Sequence, residues 1–225
     1  MDKARDLRSQ APSTTAAPIR AGRDERRRAI LEVARDIFMQ EGYAAASMSA
    51  IAARLGGSKG TLYNYFASKE LLFAALMEAE CEAGPWRDEV NRGGGDDLRA
   101  ALIAIGERFM DFVLAPAVMD IHRLVIAESG RFPELGRAFY DNGPRRSVGL
   151  LAAFMADEMA AGRLRTADPE QAATHFIQLC KSGLHQKMLW NVGPDPSPEE
   201  KAANVKVAVS IFLAAYGPVR AAEHP

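Results

Sequence analysis

The sequence predicts an all-α protein of about nine or ten helices. Apolar residues recur at steps of three and four along most of the chain. No stretch alternates with the period of two that a half-buried strand needs, and Gly or Pro interrupts the pattern at intervals of one helix. Nothing repeats at a spacing of about 20–50 residues, which excludes a solenoid.

The elements follow in order. Residues 1–22 mix Ser, Thr, Ala and Pro without an apolar period and read as a flexible tail. From Arg23 a helical face collects Ile30, Ala34, Ile37 and Phe38, and Gly42-Tyr43 supplies its stop. Ser47 can cap a short helix from Met48 to Leu55, with Ile51 and Leu55 inward. Gly56-Gly57 forces a turn, and Ser58 caps a second short helix from Lys59 to Phe66. Ser68 caps a longer one that Lys69-Glu70 opens and that runs through Leu72, Phe73, Leu76 and Met77 until Gly84-Pro85 breaks or kinks it. Gly93-Gly94-Gly95 ends this segment, and Asp96-Asp97 suits the next start. Helices are expected at 97–114, 117–129, 133–140 and 144–161, then two long ones from Pro169 to Asn191 and from Pro198 to Tyr216, around a Gly193-Pro194-Asp195-Pro196 loop. The domains would be a tail (1–22), a three-helix unit (23–69), a larger helical body (70–217) and a C-terminal tail (218–225).

Composition narrows the function. At 48% hydrophobic and 25% charged residues the chain can bury a core, so disorder throughout is excluded. Cys81 and Cys180 stand too far apart for a zinc module and suit a reducing cytoplasm. No apolar run approaches the ~18 residues of a membrane span, and the start, Met1-Asp2-Lys3-Ala4-Arg5, lacks the apolar core of an export signal. A cytoplasmic protein is expected. Charge, however, is uneven. Residues 1–69 carry 12 Lys and Arg against 7 Asp and Glu, and the remainder carries 16 against 22. A basic front on an acidic body fits a front end that meets phosphates; a basic tail without a partner is the other reading.

Helix, sharp glycine turn, helix is the helix-turn-helix layout, in which the second helix enters the major groove of DNA. In the candidate recognition segment Ser58-Lys59-Gly60-Thr61-Leu62-Tyr63-Asn64-Tyr65-Phe66, Leu62 and Phe66 would plug the core. Ser58, Thr61, Tyr63 and Tyr65 offer hydroxyls, Asn64 can bridge adenine, and Lys59 and Lys69 are charges for phosphate. Arg20, Arg23, Arg26, Arg27 and Arg28 adjoin this unit as a phosphate-contacting arm or as a solvated charge run.

The string Phe38…Glu41-Gly42-Tyr43…Ser47-Met48-Ser49-Ala50-Ile51-Ala52…Leu55 through Leu72 closely resembles the N-terminal domain of TetR/AcrR-family regulators. The resemblance implies an operator-binding homodimer, usually a repressor, that releases double-stranded DNA when a small molecule enters the C-terminal domain. Carried over by position, Ser47 and Ser49 face DNA from the second helix, and Ser58, Lys59, Gly60, Thr61, Tyr63, Asn64 and Tyr65 line the recognition helix. Lys69 reaches phosphate from the fourth. Gly57 departs from the family's habit of a β-branched aliphatic there, which predicts a looser turn. The stretch from Arg123 through Glu128, Phe132-Pro133-Glu134-Leu135 and Phe139-Tyr140 to Gly143-Pro144 looks like the AefR-like branch.

Aromatic and soft side chains in the body suggest a pocket for a small hydrophobic effector: Phe109, Phe112, Met119, His122, Phe139, Phe154, His175 and Phe176, with Met110, Val113, Phe132, Met155, Trp190 and Gln178 also available. Plain core is the other reading of the Phe and Met residues. Two apolar stripes at helical spacing suggest a homodimer interface. One is Ala173, Ile177, Cys180, Leu184 and Met188, with Gly183 permitting close approach; the other is Val205, Val209, Phe212 and Tyr216. Both could instead pack inside the monomer. His122, His175, His185 and His224 share no metal spacing, and no nucleophile elbow or phosphate-cradling loop is present. No enzyme activity, cofactor or metal is expected. A DNA-binding activator, a fixed regulator without ligand, and a helical binding protein that has lost DNA affinity remain alternatives.

Overall fold

A computed structural model describes residues 16–82 and 84–218. The remaining tail residues, and His224 with them, lie outside it, as does the side chain of Arg20. The described residues form twelve helices and no strand.

Helix α1 (Ala16–Ala45) begins seven residues before the expected Arg23. Pro18 is no obstacle there, because amides of a first helical turn have no intrahelical acceptor anyway. Gly42, at φ 79° and ψ 163°, interrupts α1 where a stop was expected. Helices α2 (Met48–Arg54) and α3 (Lys59–Tyr63) are capped by the Ser47 and Ser58 side chains, which accept from the amides of Ala50 and Thr61 at 3.1 Å. Ser68 Oγ accepts from the Leu71 amide at the start of α4 (Lys69–Glu82).

Beyond Pro85 lie α5 (Trp86–Arg92), which ends on Gly93 at φ 75°, and α6 (Leu98–Val113), capped by Asp97. Helices α7 (Pro116–Glu128), α8 (Pro133–Asn142), α9 (Pro144–Ala160), α10 (Pro169–Lys181) and α12 (Pro198–Tyr216) each open on a proline. Proline's fixed φ suits the first helical position, where its missing amide costs nothing.

The expected single helix from Pro169 to Asn191 is two helices. Ser182 turns to ψ 131° and Gly183 to φ 78°, so α10 ends at Lys181 and α11 (Leu184–Leu189) starts in a new direction. Gly183 therefore does not serve close helix approach, since a Cβ there would meet nothing within 4 Å. Gly106 of α6 does, because a Cβ on it would lie 2.6 Å from Val205 Cγ1 of α12. The α4 pattern likewise separates at Gly84-Pro85 into α4 and α5.

Two cores result. The front core joins Ile30, Ile37 and Phe38 of α1, Ile51 of α2, Leu62 of α3 and Phe73 of α4 to Ile121, Val125 and Leu135 of α7 and α8. The rear core runs from Trp86 to Tyr216 through α5, α6, α9, α10 and α12. Helices α4, α7 and α8 contribute to the front core, and Met119 of α7 also joins the rear one.

Candidate functional site

The front end presents one polar surface. Ser47, Ser49, Ser58, Lys59, Gly60, Thr61, Tyr63 and Asn64 are all exposed, while Leu62 and Phe66 are buried beneath them. Half of the Tyr63 side-chain surface is open, although tyrosine commonly hides its ring. Ser58 Oγ also lies 3.0 Å from Thr61 Oγ1, so the two hydroxyls order each other. The amino-terminal part of α1 folds its arginines onto the same unit. The Arg23 guanidinium stands 5.8 Å from the Tyr65 ring centre and that of Arg27 stands 5.6 Å from Phe66, whereas Arg28 points to solvent. Arg23 and Arg27 thus lie against the recognition unit.

Lys69 has a second occupation. Its Nζ donates to the carbonyls of Tyr43 at 2.7 Å and Ala46 at 3.1 Å, and lies 4.2 Å from the Tyr43 ring centre. Two of its three donors tie α4 to the α1–α2 connection, a role that spacing alone did not reveal. At Gly57 the missing side chain leaves a void of about 10 Å³ between Ile30, Ala52, Leu55 and Leu62. The Arg26 side chain closes it, with Nη2 at 3.2 Å from where a Cβ would stand.

Behind the front core lies a cavity of about 220 Å³ lined by α4, α6, α7, α8, α9 and α10. Four expected ligand residues line it: Phe109, Phe112, His122 and Phe139. The other four do not. Met119, Phe154 and Phe176 fill the rear core, and His175 Nδ1 lies 2.6 Å from the Tyr216 hydroxyl, outside the cavity. Met110 and Met155 are core, Phe132 packs on Tyr43, and Trp190 is exposed, whereas Val113 and Gln178 do line the cavity.

Sequence reasoning missed Glu80 and Cys81 of α4, Tyr140 of α8, and Glu170, Thr174 and Lys181 of α10, which form one row with the expected Gln178. That row steps by four, four and three and could have been read as a polar stripe. It also missed a pairing of imidazoles 63 positions apart: His185 Nε2 lies 3.1 Å from His122 Nδ1. Burial holds His122 far below the ordinary histidine value, at about 3, and His185 at about 4, with the Lys181 charge acting in the same direction on both. Burial pushes the Cys81 thiol up and Lys181 down. Both imidazoles are therefore neutral at pH 7.

The expected dimer residues are a correction. Ala173, Cys180, Val205, Val209, Phe212 and Tyr216 are buried inside one chain, and Ile177 lines the cavity. Leu184 and Met188 pack against the rear core. Each stripe marks the inward face of its helix. The apolar surface that α12 leaves outside is Val207 and Ile211, one turn apart and both more than half exposed.

Comparison with known proteins decides the relationship. Residues 30–76 match the bacterial regulatory proteins of the tetR family, and residues 100–218, more than half of the chain, match the AefR-like transcriptional repressor C-terminal domain. The chain belongs to the TetR family. The HTH-type transcriptional repressor Rv1474c of Mycobacterium tuberculosis is 29% identical over 177 residues, covering 76% of this chain and 85% of that protein. The transcriptional activator FasR of Mycolicibacterium smegmatis is 37% identical over 94 residues, a match that spans only 43% of FasR and 42% of this chain. Among solved structures, the flavonoid-responsive regulator FrrA superposes with a TM-score of 0.74 at 32% identity, over 88% of this chain and all of that one. TetR-family membership makes this protein a transcriptional regulator of the helix-turn-helix type. No helix among the described residues is long and apolar enough to cross a membrane.

Proposed function

We propose that the protein is a repressor that binds a palindromic operator as a homodimer and leaves it when a small hydrophobic effector enters the cavity. The observation that carries this reading is a wall shared between cavity and front core. Met77 of α4 and Ile121 of α7 belong to the front core and also line the cavity. A ligand that displaces Met77 must move α4, whose first residue, Lys69, holds the α1–α2 connection.

In this reading Lys59 and the arginines of α1 supply phosphate attraction, and Thr61, Tyr63 and Asn64 choose the sequence. Two recognition helices must lie about 34–36 Å apart, or a further whole turn, to enter successive major grooves. Val207 and Ile211 of α12 would meet their copies across the dimer axis. Coupling is reciprocal: operator weakens effector by the factor that effector weakens operator, typically ~5–150-fold.

The repressor name of Rv1474c supports the sign of regulation, and FrrA's responsiveness supports a ligand. FasR, named an activator, supports the alternative sign through its partial match. The test is selection from random duplexes at low salt, repeated with Asn64→Ala. The expected result is a two-fold symmetric site whose preference relaxes at one base pair per half-site, by ~1–3 kcal/mol. Equal binding to all duplexes would remove the operator reading.

A further inference from the structure

The polar groups around the cavity are not evenly matched. Arg145 lies 3.4 Å from Asp141, and Glu80 lies 3.6 Å from Arg35. Glu170 is eleven residues from Lys181 on the same helix, about 16 Å away at the helical rise. Lys181, in the last turn of α10, has no ion pair or hydrogen bond among the described residues, and burial alone pulls its pKa down. Nearby carbonyls at that helix end already accept other donors: Leu179 from Ser182 Oγ, and Cys180 from Asn204 Nδ2.

Beside it stand the two imidazoles. His122 lines the cavity and uses Nδ1 toward His185, which leaves its Nε2 without a partner among the described residues. A positive charge and two neutral ring nitrogens thus meet with no carboxylate among them. Phe139 packs edge-on against His122 at 5.2 Å, and Phe109 and Phe112 continue the apolar wall.

Building on the proposal that the cavity receives the effector, we infer that the effector is an aromatic carboxylate. Its ring lies among Phe109, Phe112 and Phe139, and its carboxylate accepts hydrogen bonds from the Lys181 ammonium and the His122 imidazole. A neutral molecule would leave the partly desolvated ammonium uncompensated, and a cation would add repulsion. Size agrees. A dry cavity of about 150 Å³ takes a benzene ring, so about 220 Å³ leaves room for a fused second ring or a short polar extension.

Calorimetry on the intact protein with 2-naphthoate, 2-naphthylmethanol and 2-naphthylmethylamine tests this, because the three share a ring system and differ in charge. Naphthoate should bind about tenfold or more tighter than the alcohol, as a charge-assisted hydrogen bond requires. The amine should bind more weakly than the alcohol. Lys181→Met and Lys181→Gln should both erase the carboxylate's margin over the alcohol, with melting curves confirming the fold. Equal or tighter binding of the alcohol, a margin that survives both variants, or no binding by any of the three would overturn the inference. Operator release measured alongside separates the two levels. If the alcohol releases operator as well as naphthoate does, the effector-responsive reading stands and the carboxylate assignment falls.

Discussion

The front core closes around three aromatic rings, Phe38, Tyr43 and Phe73, whose centres lie 5.5–5.6 Å apart, and the void at Gly57 beside them is only about 10 Å³. The rear half keeps about 220 Å³ open. The contrast suits the two tasks proposed for the halves. Reading a groove requires side chains held in one place, so the recognition helix rests on a filled core. Receiving a small molecule requires space, and space lowers the cost of rearrangement around it. Met77 and Ile121 stand between, rigid on one side and facing a hollow on the other.

The largest expected effect separates these two interiors. Phe73→Ala, in the filled front, should cost about 3–5 kcal/mol, because the neighbouring rings cannot collapse into the gap. Phe112→Ala, which enlarges a space already present, should cost less than about 2 kcal/mol. Urea denaturation of both variants measures this, and equal losses would erase the distinction between filled and hollow halves.

Next in size is Lys69→Met. If the two carbonyl bonds are its main role, stability should fall by about 1.5–3 kcal/mol while the slope of operator affinity against log salt stays unchanged. If phosphate contact dominates, the slope should flatten by about one unit with little change in melting. The two observables move independently, so the experiment decides between a clamp inside the front half and a contact outside it.

Legibility in the sequence follows the same division. The front was readable almost residue by residue, since caps at Ser47 and Ser58, the turn at Gly56 and the buried plugs Leu62 and Phe66 are local chemistry. The helix-opening prolines made most of the body equally plain. What sequence could not supply was what an inward face meets. Phe109 and Phe176 occupy equivalent apolar positions, yet one borders empty space and the other is packed on all sides. Periodicity says that a side chain points in and is silent on whether the interior is full. For the same reason the stripes of α10 and α12 were read as a surface between chains when they close one chain's own core.

A smaller effect concerns acidity and should be confined to the hollow half. His122 and His185 are held at about 3 and about 4, below the ordinary 6.5, so between pH 6.5 and 4 the unfolded chain binds more protons than the folded one. Stability therefore falls as pH falls through this window. Because His122 faces an accessible cavity, the loss from pH 7 to pH 5 should be about 1–2 kcal/mol, well under the full shift. His185→Gln should flatten the profile. A profile identical to that of the parent would show that the pair is not what titrates.

The smallest effect tests the one gap in the front half. Gly56 and Gly57 are adjacent but not equivalent. Gly56 sits at φ 67°, where any side chain is strained, and Gly57 does not. Gly56→Ala should destabilise by about 1 kcal/mol. Gly57→Ala faces only the end of the flexible Arg26 side chain, which can swing aside, and it removes backbone freedom from the unfolded chain. A gain of about 0.4–1 kcal/mol is expected, with Gly57→Val adding some burial in the void beside Leu55 and Leu62. The functional consequence distinguishes two uses of the gap. If Arg26 merely fills space, operator affinity should hold or rise slightly as the turn stiffens. If Arg26 is poised there to contact phosphate beside the recognition helix, its displacement by valine should lower affinity and shallow the salt dependence even though the melting temperature rises. Opposite movements of stability and affinity at a single glycine would show that the looser turn serves binding.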